Sequence, residues 1–242
     1  MSELWLFTLL GTFTGVIGTG AGGALAFAFP AREGKLGQFL DFSGGLMLAI
    51  VCFDLLPEAF SIAALPVVLA GAAIGAGAVM LVSRFDRHTH GAHHGGLRLS
   101  ALSVALGIAV HNLPEGLAIG SALCENFRLG LALCLAIFLH DLPEGMSVGL
   151  TLRVGGAHFA EATATAALAG LSTGIGAGIG CAAGTLSPIV SALCLACAAG
   201  AMLYLVLGQM LPEADRLLGT QAPRLFGILG VMAGMVLRVL LH

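Results

Sequence analysis

The sequence predicts an all-α integral membrane protein with eight transmembrane helices arranged as an inverted 3+2+3 repeat. Three observations favour this fold class: 58% of the 242 residues are apolar, only 10% are charged, and the mean hydropathy is +1.00. A soluble domain carries about 25% charged residues. We therefore expect the whole chain, residues 1–242, to form a single multi-pass membrane domain.

Eight apolar runs follow one another along the chain, each long enough for a helix that crosses the bilayer, which needs about 20 residues. The first run lacks a basic leader and is too long for a cleaved signal peptide, so we expect it to span the membrane. Charged residues, prolines and short polar clusters separate the later runs. The predicted spans cover about 4–29, 39–61, 65–83, 99–123, 129–152, 162–184, 188–211 and 222–241.

Basic residues are distributed unevenly between the two sides of the predicted bundle. With the N-terminus outside, eight of the ten lie in inner loops, as the positive-inside rule requires. The inner residues are Arg32, Lys35, Arg84, Arg87, Arg98, Arg153, Arg216 and Arg224, and the outer ones are Arg128 and Arg238. This bias predicts a protein of the plasma (inner) membrane with both termini outside and a His-bearing loop, 84–98, in the cytoplasm.

Spans two and seven share a sequence pattern. Residues 45–59 and 200–214 match at eight of fifteen positions, with Met, Pro and Glu in register. The two spans run in opposite directions, and such repeats imply a pseudo-two-fold axis in the membrane plane. The simplest scheme relates spans one to three with six to eight, and span four with span five. Chance similarity among small aliphatic residues is the alternative.

The hexapeptide HNLPEG at 111–116 recurs as HDLPEG at 140–145, in the middle of spans four and five. Ionisable residues at bilayer depth are costly and point to function. At about 100° per residue, each His and its Glu share a helix face, and the Asn or Asp lies beside them. Two such helices facing each other predict two neighbouring cation positions that share both glutamates. Buried polar contacts between helices are the alternative interpretation.

The two predicted positions differ in their ligands. The first uses His111, Glu115, His140 and Glu144, and the second uses Asn112, Glu115, Asp141 and Glu144. Imidazole and carboxylate without thiolate suit Zn²⁺, Fe²⁺ or Mn²⁺ better than Cu⁺. The sequence does not rank zinc, iron, manganese and cadmium, because selectivity depends on geometry.

Further polar residues lie near the predicted mouths of the pathway. Asp54 and Glu58 share one face of span two near the outer side, and Gln209 and Glu213 repeat this arrangement in span seven near the inner side. We interpret them as the route by which a cation enters and leaves; interface charge at helix ends is the alternative. The loop histidines, which could hold metal transiently or simply be solvated, are His88, His90, His93 and His94.

At these residues the chain resembles the ZIP family of divalent-metal transporters, and the resemblance covers its full length. The short loops are similar to those of the bacterial zinc-transporter and GufA-like branches. The resemblance implies transport of metal toward the cytoplasm, the two-metal site described above and Met47 as an extra ligand. It also implies movement of spans one, four, five and six against the others, often in a homodimer. The chain departs from many members at Gly176, where span six offers only small residues, and at Gly208-Gln209 in span seven.

We therefore predict a divalent metal-ion permease in the lipid bilayer. The family resemblance favours Zn²⁺ as its substrate, and Fe²⁺, Mn²⁺ and Cd²⁺ are the alternatives. No nucleic-acid partner is expected because no basic patch occurs. Two other functions compete. An intramembrane metalloenzyme would want a motif such as HExxH, which the sequence lacks. An exchanger of organic solutes would need a polar lining wider than this set provides.

Overall fold

The computed structural model describes residues 2–28, 33–90, 97–219 and 224–241, and these ranges are almost entirely helical. The prediction of an all-α protein is therefore confirmed for them. The α-helices are α1 (Ser2–Ala28), α2 (Glu33–Ala49), α3 (Leu56–Ile62), α4 (Leu65–His90), α5 (Leu97–Glu125), α6 (Phe127–Val154), α7 (Phe159–Ala169), α8 (Leu171–Gly184), α9 (Pro188–Leu205), α10 (Leu211–Leu218) and α11 (Leu225–Leu241).

Two long continuous helices each contain a short π-helical turn just before a Leu-Pro-Glu sequence. One turn (Ile50–Leu55) joins α2 to α3, and the other (Val206–Met210) joins α9 to α10. Proline donates no backbone N–H and crowds the carbonyl four residues earlier. A π turn shifts the hydrogen bonds to a longer spacing, so the helix continues through Pro57 and Pro212.

Short connections place α5 and α6 side by side. Asn126 caps the start of α6, because its side chain accepts hydrogen bonds from two backbone amides of the first turn at 3.1 and 3.3 Å. Gly156 follows α6 with φ of +83°, a conformation that glycine adopts without strain. Both helices continue through their internal prolines, Pro114 and Pro143. The two hexapeptides therefore lie on neighbouring continuous helices.

Five helices of the described chain are long and apolar enough to cross a membrane, and they belong to a multi-pass membrane protein. They are Glu3–Ala28, Gly37–Ile62, Phe127–Arg153, Phe159–Gly184 and Pro188–Leu218. Two further apolar helices, Leu65–Leu81 and Leu225–Leu240, are shorter. The count of eight spans and the inverted repeat stay predictions.

The first part of the predicted loop at 84–98 is helical. Helix α4 continues to His90, past the predicted end at residue 83, so the backbone of His88 and His90 is helical. Polar residues can extend a helix beyond its apolar part because its hydrogen bonds are local. His93 and His94 lie outside the described residues.

The helices pack in two groups. In the first, α1 packs against α6, α7 and α8, and α5 packs against α6 and α8. In the second, α2 packs against α10 and α11, and α4 packs against α9. Contacts of α3, which continues α2, with α9 connect the two halves of the second group. Contacts of α5 with α9 and of α2 with α6 join the two groups across the main apolar core. The hexapeptides belong to the first group.

Glycines bring the helices of the first group into backbone contact beside the hexapeptides. Gly116 of α5 lies against the backbone of Thr173 in α8, and Gly145 of α6 lies against the backbone of Thr19 in α1. A methyl group on either glycine would overlap its partner's carbonyl. Small residues at such crossings allow close helix packing in membranes. The hexapeptide glycines thus fix the positions of the helices that carry the polar groups.

Candidate metal centre

The structure brings four side chains of the two hexapeptides together between α5 and α6. One ligand atom from each lies within 4.8 Å of every other, and all four residues are buried. The residues are His111, Glu115, His140 and Glu144. This is the set predicted for the first cation position, and it includes the group types that zinc accepts.

Each histidine contacts a glutamate from the opposite helix. His111 Nε2 is 2.7 Å from Glu144 Oε1, and His140 Nε2 is 2.9 Å from Glu115 Oε1. His111 Nε2 is also 3.4 Å from Glu115 Oε1 on its own helix. One oxygen of Glu115 therefore lies close to both imidazoles, and the two copies form a single cluster.

Burial makes this cluster energetically demanding. Glu115 and His140 are fully buried, and Glu144 and His111 are 4% and 6% exposed. A buried carboxylate is costly unless it is paired, hydrogen-bonded or bound to a metal. The imidazoles offset part of this cost, and a divalent cation would offset more of it because it interacts with both carboxylates at once.

Several buried polar atoms beside the cluster have no hydrogen-bond partner among the described residues. They include both amide atoms of Asn112, both carboxylate oxygens of Asp141, and the second oxygens of Glu115 and Glu144. Such groups are rare in native structures and call for an explanation. These atoms belong to the residues predicted for the second cation position.

Neighbouring helices support the second hexapeptide. Gly18 of α1 lies against the Asp141 side chain, where a Cβ atom would be 2.7 Å from Asp141 Cβ. Ser43 of α2 donates a hydrogen bond of 3.2 Å to the backbone carbonyl of His140. Residues from α1 and α2 therefore help to position a site whose side chains come from α5 and α6, a contribution that the sequence analysis missed.

Met47 is fully buried in the main apolar core, as is Met202, its counterpart in span seven. This burial fits a packing role in both spans. A role for Met47 as a metal ligand stays a prediction.

Two of the four predicted pathway residues have arginine partners that the sequence analysis did not identify. Asp54 Oδ1 lies 3.5 Å from Arg238 Nη1 of α11, and Glu213 accepts two hydrogen bonds from Arg216. Asp54 and Gln209 both lie in the π turns, and Glu58 lies in the first turn of α3. The signal that could have found the first pair is Arg238 itself, a charged residue near the end of the last predicted apolar run.

A second ion-pair network was also missed. Asp41 of α2 is fully buried and accepts hydrogen bonds from Arg224 Nη1 at 3.0 Å and from the backbone N–H of Gly227 at 2.7 Å. Arg224 Nη2 also lies 2.5 Å from Asp215 Oδ2 of α10. The network ties α2, α10 and α11 together at the end that the basic residues assign to the cytoplasm.

The fold and the cluster together define a class: a multi-pass α-helical membrane protein with a buried set of imidazoles and carboxylates that could hold a metal ion. Comparison with known proteins narrows this class. The chain belongs to the ZIP family, because the family profile described as ZIP Zinc transporter matches residues 81–242. ZIP proteins are transporters and not enzymes.

Two curated relatives agree with this assignment. The zinc transporter ZupT of Akkermansia muciniphila is 33% identical over 257 aligned positions, which cover 95% of this chain and 93% of the relative. The zinc transporter GufA of Myxococcus xanthus is 42% identical over 125 residues. That match covers 51% of this chain and 49% of GufA, so it spans about half the length of each.

Proposed function

We propose that this protein carries divalent cations across the plasma (inner) membrane into the cytoplasm, with Zn²⁺ as its main substrate. The observation that carries the proposal is the buried cluster of His111, Glu115, His140 and Glu144, which suits a borderline metal such as zinc. Both relatives are named as zinc transporters. Fe²⁺, Mn²⁺ and Cd²⁺ accept similar ligands and are the other cations to test.

In this proposal two cation positions share both glutamates. The imidazoles complete the first position, and Asn112 and Asp141 complete the second. The support is the set of buried oxygens on Asp141, Glu115 and Glu144 that lack hydrogen bonds among the described residues. Shared carboxylates hold two metal ions about 3.5–4 Å apart, so a cation could pass between the positions over a short distance.

The proposed inverted repeat is supported by matching contacts. Gly45 crosses the backbone of Gly227, and Gly200, its counterpart in the repeat, crosses the backbone of Ala72. Both π turns precede Leu-Pro-Glu at corresponding positions. Gly15 and Gly170 each approach the other's carbonyl, as residues beside a pseudo-two-fold axis would.

We further propose that the first helix group carries the cation by moving against the second. The support is the packing pattern, since α1, α5, α6, α7 and α8 pack mainly among themselves. These helices correspond to spans one, four, five and six. A homodimer, eight spans and outer termini complete the proposal and follow from the family resemblance and the basic residues.

Uptake by proteoliposomes tests this function. The purified chain should accumulate Zn²⁺ from a panel of divalent ions, measured with and without a pH gradient. Glu144→Gln should abolish uptake, while Glu125→Gln, at an exposed glutamate at the end of α5, should not. Protein that takes up no divalent ion but exchanges an organic solute would contradict the proposal, as would metal-dependent turnover of a lipid or peptide.

A further inference from the structure

An ion pair with a long separation lies toward the predicted outer end of span two. Asp54 Oδ1 lies 3.5 Å from Arg238 Nη1, a distance longer than a direct hydrogen bond. The Asp54 side chain is 11% exposed and the Arg238 side chain 38% exposed. The Arg238 side chain is thus partly exposed, whereas Asp54 Oδ1, the oxygen that faces it, is buried.

The opposite end of the same two helices, α2–α3 and α11, shows a different arrangement. There Arg224 and the Gly227 amide hold the buried Asp41 carboxylate at 3.0 and 2.7 Å, and Arg224 also contacts Asp215. Several short bonds of this kind hold helices together. The contact between Asp54 and Arg238, at 3.5 Å, is longer than these bonds and is the weaker of the two ion pairs.

The location of the pair adds to this difference. Asp54 lies in the π turn Ile50–Leu55, and π turns occur frequently at functional sites. Gln209, in the corresponding π turn of α9 and α10, is neutral. The repeat therefore has a charged position at the predicted outer mouth and an uncharged one at the inner mouth.

We propose that Arg238 is a counter-charge that an incoming divalent cation displaces from Asp54, and that it thereby sets the affinity of the outer mouth for cations. At equal distance a dication attracts a carboxylate about twice as strongly as a guanidinium does. A monovalent cation has no such advantage, so the pair disfavours K⁺ and Na⁺. This inference rests on the proposed transport function and on the predicted orientation.

A double-mutant cycle on proteoliposome uptake tests the inference. Half-saturating Zn²⁺ and maximal rate are measured for wild type, Asp54→Asn, Arg238→Gln and the double variant. The medium is potassium nitrate at about 0.5 M, in which interactions between exposed charges more than about 5 Å apart are largely screened. Arg238→Gln should lower the half-saturating concentration by roughly three- to tenfold, with the maximal rate unchanged, because the competitor is gone. In the Asp54→Asn background the same change should be less than about twofold.

Two further variants keep the test decisive. Arg128→Gln removes a charge from an exposed residue on the same predicted side and should have little effect. Arg238→Met, which keeps an apolar stem, should reproduce Arg238→Gln if the glutamine variant inserts poorly. Equal effects of Arg238→Gln in both Asp54 backgrounds, or of Arg128→Gln and Arg238→Gln, would overturn the inference. So would a fall in maximal rate at unchanged half-saturation. A wild-type protein without uptake would overturn the proposed function instead.

Discussion

The two hexapeptides have the same spacing and the same type of glycine crossing, but their polar groups have different surroundings. His140 is fully buried between Glu115 at 2.9 Å and Asp141 at 3.5 Å. His111 is slightly exposed and lies 2.7 Å from Glu144. The first copy carries neutral Asn112 where the second carries Asp141. The two copies thus form a cluster in which the helix crossings are alike and the acidic side chains are more numerous on α6.

Both proposed cation positions use the two glutamates, so substitutions at these residues should have the largest effect. We expect Glu115→Ala or Glu144→Ala to abolish Zn²⁺ uptake, a loss of at least about 100-fold, because losing a direct ligand costs more than losing an outer-shell partner. Uptake normalised to inserted protein is the measurement, with Glu125→Ala as the control. Near wild-type uptake by either variant would contradict the shared role of the two carboxylates.

The Asn112 and Asp141 pair tests the asymmetry directly. We expect Asp141→Ala to reduce uptake strongly, and Asn112→Ala to leave a partly active protein with roughly tenfold weaker apparent affinity, equivalent to about 1.4 kcal/mol. An amide contributes a dipole where a carboxylate contributes a full charge, so its loss costs less. The uptake rate, measured over a range of Zn²⁺ concentrations, gives the maximal rate and the apparent affinity of each variant. Equal losses in the two variants would mean that the copies are functionally equivalent.

Alanine substitutions at the two hexapeptide glycines should lower the stability of the protein to a similar extent, because both glycines make the same type of backbone crossing. Gly116→Ala and Gly145→Ala should each destabilise the protein by about 1–3 kcal/mol, because the added methyl group overlaps a backbone carbonyl. Gly77→Ala in α4 is the control, since nothing lies within 4 Å of its Cβ position. That change should stabilise the helix by up to about 1 kcal/mol. Thermal unfolding in detergent distinguishes the three; a stable Gly145→Ala protein would show that the helices separate easily.

Acid should weaken transport about as much as the loss of the Asn112 amide. Imidazole and carboxylate must be deprotonated to bind metal, so protons compete with Zn²⁺ and the apparent affinity falls as the pH falls. Between about pH 7.5 and about pH 5.5 we expect a decrease of roughly tenfold. Half-saturating Zn²⁺ measured across this range, with no pH difference across the membrane, is the test. A flat profile would contradict ligation by histidine.

The sequence predicted those features that depend on local spacing. A His and a Glu four residues apart share a helix face in any helix, so the cluster of the two hexapeptides follows from the motif and from the pairing of α5 with α6. The π turns were not predicted, because proline in an apolar run is equally compatible with a kink. Arg238 and Arg224 pair with residues more than 180 positions away, and only the packing of α11 against α2 shows those contacts.

The ligand set is the central claim, and X-ray absorption spectroscopy of the zinc-loaded protein tests it most directly. We predict nitrogen and oxygen ligands near 2.0–2.2 Å, with imidazole scattering that decreases in both His111→Ala and His140→Ala and no sulfur in the first shell. The six cysteines are free thiols, so sulfur scattering near about 2.3 Å would assign the metal to them. That result, or imidazole scattering unchanged in both variants, would contradict the account.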